Sequence, residues 1–82
     1  MRVIYVAGAY RGKCENDVFN NIMHARTEAL KLWQQGWCVI CPHLNSAFMG
    51  TRTSDQMFLE GGLELVRRSD MIYLLKGWEN SE

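Results

Sequence analysis

The stretch Arg2-Val-Ile-Tyr-Val-Ala-Gly-Ala-Tyr-Arg-Gly12 decides the fold. From Val3 to Ala7 it is apolar apart from the phenol of Tyr5, the pattern of a strand buried in a parallel sheet. It runs straight into the small residues Gly8 and Ala9, then Tyr10, Arg11 and Gly12. Main-chain amides, a phenol and a guanidinium therefore meet at one strand end. Gly8 follows a strand that the topology makes central, where the lack of a Cβ lets a ligand approach the backbone.

Reading outward, Asp17 to Gln35 predicts a helix. Its inner face is expected at Phe19, Ile22, Met23, Ala29, Leu30 and Trp33, with Arg26 and Glu28 on the wetter side. Asn16 or Asp17 suits its cap and Gly36 its stop. Trp37 to Cys41 reads as a second strand ended by Pro42, and His43 to Thr53 as a loop. Ser54 or Asp55 suits the cap of a second helix running to Arg68, with Phe58, Gly62, Leu63 and Val66 inward. Gly61-Gly62 inside it marks either close packing on the sheet or a break. Asp70 to Leu75 is the third strand. The order β-α-β-α-β predicts an α/β fold with an open parallel sheet of order 2-1-3, first strand central. Ligands in such sheets sit beyond the C-terminal strand ends. The loops Gly8–Asn16, Pro42–Thr53 and Lys76–Glu82 converge there.

Length sets further limits. The 82 residues predict a single domain over 1–82. A chain of this size buries only about 60–65% of its unfolded surface, so its core is small. The nine Lys plus Arg balance nine Asp plus Glu, which argues against a nucleic-acid polymer as partner. No apolar run approaches the roughly 20 residues of a membrane span, and no secretory leader is expected. With three cysteines and no secretion features, a cytoplasmic location with reduced thiols is expected. Three strands with two helices leave the third strand exposed, so either a partner chain covers it or the polypeptide is part of a longer fold.

Candidate site residues follow from position. Tyr10 suits stacking on a sugar or base, and Arg11 suits a phosphate. His43, just past the second strand, is read either as a ligand or acid–base group or as a residue structuring its loop; Asn45 and Ser46 suit hydrogen bonding. Cys38, Cys41 and His43 have zinc-like spacing, but residues three apart on a strand point to opposite faces, so no metal is assigned. No cofactor is implied either. Glu60, Glu64, Asp70, Glu79 and Glu82 are the nearby acids; Glu60 and Glu79 are the catalytic candidates, because a carboxylate beside an anomeric carbon serves as nucleophile or charge stabiliser. His24 is read as helix packing, and Arg67-Arg68 as complementing a helix C-terminus.

Several of these residues resemble one family. Ile4-Tyr-Val-Ala-Gly-Ala-Tyr10 is similar to the opening of the nucleoside 2-deoxyribosyltransferase-like superfamily, with its Tyr-x-Ala-Gly-Pro-Tyr/Phe pattern. Asn20-Asn21-Ile22, Leu32-Trp33-Gln-Gln-Gly36-Trp37, Cys41-Pro42-His43-Leu44-Asn45, Phe58-Leu-Glu-Gly-Gly-Leu-Glu64, Ser69-Asp70 and Leu75-Lys-Gly-Trp-Glu-Asn-Ser81 continue the likeness, which looks closest to a branch of small bacterial and phage proteins. The resemblance implies a Rossmann-like three-layer fold, here truncated, assembled as a homodimer or larger homo-oligomer. It implies cleavage or transfer of the N-glycosidic bond of a nucleoside or nucleoside 5′-monophosphate. The family tyrosine falls on Tyr5 or Tyr10, with the strand end favouring Tyr10; the sugar-contacting acid falls near Glu60; Gly8, Arg11, His43, Asn45 and Asp70 fall among the substrate-binding positions. Ala9 stands in place of the usual proline. The family's nucleophilic glutamate lies on a later helix, and Glu82 sits too close to the third strand to match it, so the nucleophile is expected to be absent. Binding of a nucleotide without turnover, or a purely oligomeric interaction role, are the alternatives.

Overall fold

The computed structural model describes residues 1–45 and 55–77; Ser46, Ser54, Trp78, Glu79 and Glu82 lie outside the described residues. Three strands, β1 (Val3–Ala7), β2 (Cys38–Ile40) and β3 (Met71–Leu74), alternate with α1 (Glu15–Gln34), the short α2 (Pro42–Asn45) and α3 (Asp55–Arg67). The strands form one parallel sheet of order β2-β1-β3. Val3 pairs with Cys38, and Ile4 to Ala7 pair with Met71 to Leu74. This is a Rossmann-like topology with β1 in the centre.

The two faces of the sheet are filled unequally. Ile4 and Val6 point to the α1 face, where Ala25, Ala29, Leu32 and Leu75 bury them and Trp37, Val39, Cys41 and Tyr73 pack around. Tyr5 points to the other face, and a Cβ at Gly62 of α3 would lie 3.4 Å from its hydroxyl. No residue of α3 whose side chain is described is fully buried. Leu63, expected to face inward, is 61% exposed, whereas Phe58, Gly62, Leu65 and Val66 are half-buried. The helix runs unbroken through Gly61-Gly62, so the glycine pair does not interrupt it.

The inner face of α1 also departs from expectation. Its buried residues are Ile22, Ala25, Ala29 and Leu32. Phe19, Met23, Leu30 and Trp33 form the next stripe round the helix and are exposed. Both stripes keep three- and four-residue spacing, so periodicity alone does not choose between them. His24, read as packing, is exposed as well.

The helix ends show why the elements stop where they do. Cys14, not Asn16 or Asp17, is the N-cap residue of α1, and its carbonyl accepts from the amides of Asp17 and Val18. At the other end Gly36 has φ +96°, its N–H donates to Trp33 O and the Trp37 N–H to Leu32 O. That is the Schellman arrangement, which needs a residue at positive φ. Pro42 does more than end β2, because it opens α2, where its missing N–H costs nothing. Across the sheet, Tyr73 Oη donates to Glu28 Oε1 at 3.0 Å while Lys31 Nζ donates to Glu28 Oε2 at 2.9 Å, tying β3 to α1. Lys31 first and then Tyr73 hold the Glu28 carboxyl below the usual carboxylate range.

Gly8 is explained by packing. A Cβ there would lie 2.5 Å from Leu75 Cδ1 and 2.8 Å from its Cβ, so the side chain of Leu75 occupies that space. Gly8→Ala is expected to cost about 1–3 kcal/mol through overpacking. Combined with Leu75→Ala, it should cost clearly less than the two single changes summed, as residues in contact are non-additive. Urea denaturation of the four proteins checks this, and strict additivity would contradict the contact.

Candidate functional site

The chain leaves β1 into a loop from Gly8 to Cys14 that is fastened from three elements. From α1, Asn21 Nδ2 donates to the carbonyl oxygens of Tyr10 at 3.1 Å and Arg11 at 3.3 Å. Also from α1, Asp17 Oδ2 accepts from the Lys13 amide at 3.1 Å. A Cβ at Gly12 would collide with Asp17 Cβ, so the loop closes on the helix only with glycine there. From α2, His43 Nε2 lies 2.8 Å from Ala9 O. The exit of β3 supplies Leu75, packed on Gly8.

His43 is 4% exposed. A carbonyl oxygen only accepts, so Nε2 carries the proton that bonds Ala9 O. Burial pushes the imidazole pKa below its usual 6.5, against the opposing pull of Ala9 O. The ring is then neutral, and its buried Nδ1 is a lone pair with no hydrogen-bond partner among the described residues. Tyr10 rests on this ring at 5.8 Å between centroids, tilted by 52°. Of the two sequence readings of His43, the geometry fits the loop-structuring one, since the closed-in ring cannot meet a ligand directly. Burial likewise pushes the Cys41 thiol up, opposed by the amides of Leu44 and His43, and so disfavours the reactive thiolate.

The other predicted residues separate. Gly8, Tyr10 and Arg11 share the β1 loop; Tyr10 is half-buried and Arg11 exposed. Asp70 is at the opposite end of the sheet, at the start of β3. There its Oδ2 accepts from the Val3 amide at 2.7 Å and its own N–H donates to Val3 O at 2.8 Å. Strand polarity alone puts it there, because a residue that opens a parallel strand is a strand length from the C-terminal ends. Glu60 is exposed on α3 and accepts from Gln56 Nε2 at 3.0 Å. Glu79 lies outside the described residues, and Asn45 is exposed at the end of α2. Glu64 pairs with Arg68 at 2.7 Å and Arg67 at 3.6 Å, which accounts for that basic pair. Among the described residues no group of three or more His, Cys, Asp or Glu is placed to hold a metal ion. Asn21 and Asp17 are the site residues that sequence reasoning missed. The available signal was an asparagine inside a helix, where it is a poor former and needs another reason to be present.

A groove of about 530 Å³ lies elsewhere, along the outer edge of β2. It is lined by α1, β2, α2 and Leu65, so the concavity and the β1 loop are separate features.

Fold and loop together define a parallel α/β protein with a braced main-chain loop beyond its central strand. Residues 2–82 match the model of the family described as Domain of unknown function (DUF4406), and the chain belongs to that family. No curated protein and no solved structure matches it. Among the described residues no helix is long and apolar enough to cross a membrane.

The buried neutral imidazole gives a pH dependence with a definite sign. His43 has a lower pKa folded than unfolded, so the unfolded chain takes up the proton first as pH falls. Stability is expected to be level above about pH 7 and to decline as pH drops below about 6.5 toward the folded value. His43→Gln, which keeps an N–H donor, should flatten the curve between about pH 7 and 5. Denaturation at a series of pH values measures this; an unchanged slope in the variant would assign the effect to other groups.

Proposed function

We propose that the chain binds a nucleoside or nucleoside 5′-monophosphate at the β1 exit loop and cleaves or transfers its N-glycosidic bond. The observation that carries this reading is the loop itself. Gly8 to Lys13 is held by α1 and α2 at the C-terminal end of the central strand, the usual ligand position in open parallel sheets. Tyr10 offers a ring face or edge to a base or sugar, and Arg11 offers charge for a phosphate. The ordered resemblance from Tyr5 to Ser81 supports the glycosidic chemistry, and with it a three-layer sheet assembled as a homo-oligomer. No cofactor is part of the reading.

A specific observation favours a second reading, binding without turnover. Asp17, the carboxylate that touches the loop, is engaged on the Lys13 amide, and Glu60 is engaged with Gln56 on α3. Among the described residues, Glu60 would reach an anomeric carbon only after leaving Gln56.

The test is a panel of ribo- and deoxyribonucleosides and their 5′-monophosphates, followed by nuclear magnetic resonance for binding and chromatography for free base. Arg11→Ala is expected to weaken monophosphate binding about tenfold or more, the loss of one charge-assisted contact. Asp70→Ala should lower stability by about 1 kcal/mol and leave binding unchanged. Base release that depends on an added acceptor base marks a transferase; release without one marks a hydrolase. Binding without release selects the second reading, and absence of binding across the panel overturns both.

A further inference from the structure

We propose that the groove beside β2 is a second ligand site, which takes a small carboxylate carried on an apolar, ring-bearing body. The inference is independent of what the β1 loop binds.

The helix that forms one wall carries the argument. The second apolar stripe of α1 runs Phe19, Met23, Arg26, Leu30, Trp33, at steps of three and four residues. Arg26 is the one charged residue in it. The positions three and four away from Arg26 on either side are Ile22, Met23, Ala29 and Leu30, all apolar, so no carboxylate of α1 is placed to meet it. Lys31, Arg67 and Arg68 each meet a carboxylate three or four positions back, Glu28 or Glu64. Among the described residues Arg26 has no ion pair and no hydrogen bond from its side chain. A cation left unpaired within an apolar stripe offers its charge to something outside the chain.

The groove gives that charge a setting. Its volume of about 530 Å³ falls within the roughly 300–1,000 Å³ of small-molecule sites, which join apolar walls to a few polar groups that fix orientation. Arg26 lines it, with Leu30 and Trp33 of the same stripe, Val39 of β2 and Leu44 of α2. Asn45 adds a second polar group; its main-chain N–H is used on Cys41 O, and among the described residues its carboxamide is unengaged. Leu30 is 48% exposed and Trp33 50%, so both side chains are open to a ligand.

The chemistry of the ligand follows from these groups. A guanidinium matches the planar fork of a carboxylate with two parallel N–H···O bonds. Trp33 suits an aromatic ring, by stacking or edge contact. It stands seven residues beyond Arg26, about 10 Å along the helix axis, with Leu30 between. The ligand therefore carries its ring and its carboxylate at opposite ends of a short aliphatic linker. A ring that bears the carboxylate directly reaches only one of the two residues.

Nitrogen-15 magnetic resonance titration of the chain with phenylbutyrate tests the proposal. A Kd of about 1 mM or below is expected for a ligand of this size. Shifts should fall on Leu30, Val39 and Leu44 and spare Gly8 to Lys13. Phenylbutyramide, the neutral isostere, should bind about tenfold more weakly or worse, through loss of the charge-assisted contact. Benzoate should also bind more weakly. Arg26→Gln, at an exposed and unpaired position, should erase the preference for acid over amide, and Trp33→Ala should weaken both ligands. Acid against amide on the wild-type chain decides the matter should a variant fail to fold. The proposal is overturned by an absence of shifts at about 10 mM phenylbutyrate, well above that Kd. Equal binding of acid and amide, a preference that survives Arg26→Gln, or shifts confined to Gly8 to Lys13 would each overturn it too. So would a species of twice the 9.5 kDa chain mass whose groove phenylbutyrate does not enter.

Discussion

The hydrogen bond from His43 to Ala9 O is the constraint on which the C-terminal end of the sheet depends. It joins the exit of β2 to the exit of β1, and it requires the short α2 to present the ring at the right height. With Asn21 and Asp17 acting from α1, it fixes the main chain of the β1 loop from two sides. Among the described residues the buried Nδ1 on the other side of the ring has no partner. A loop ordered before a ligand arrives loses little entropy on binding, which is the physical content of the proposed site.

The same molecule divides its apolar surface unequally. On the α1 face the central strand is buried against Ala25, Ala29 and Leu32, where small residues let the helix lie close to the sheet. On the α3 face Leu63 is left in solvent, as are Ile72 and Leu74 of β3. A single core of this size yields little net stability. The second apolar stripe of α1 lies beside β2.

Much of the architecture was legible in the sequence because strong local signals agreed with the global fold. The run Val3 to Ala7, the helix stop at Gly36 and the final apolar strand gave element order, parallel pairing and the 2-1-3 arrangement. The errors have identifiable causes. Pro42 ends strands and also begins helices, so α2 was read as loop. Leu30 and Leu32, two positions apart and equally apolar, belong to adjacent stripes, and only tertiary packing decides which one is core. Strand-end position alone put Gly8, Tyr10 and Arg11 together in the loop after β1, where the structure has them. Asp70 was put among the substrate-binding positions by the family resemblance, whereas strand polarity sets it at the other end of the sheet. The role of Asn21 was hidden because its partners are carbonyl oxygens, which no side-chain pattern reveals.

The most direct test is nitrogen-15 magnetic resonance of the His43 ring in the wild-type chain at neutral pH. The account predicts a neutral imidazole locked as the Nε2–H tautomer, with Nδ1 unprotonated and the Nε2 proton protected from exchange. A protonated Nδ1, or a ring averaging between tautomers, would contradict the bond to Ala9 O and with it the braced loop.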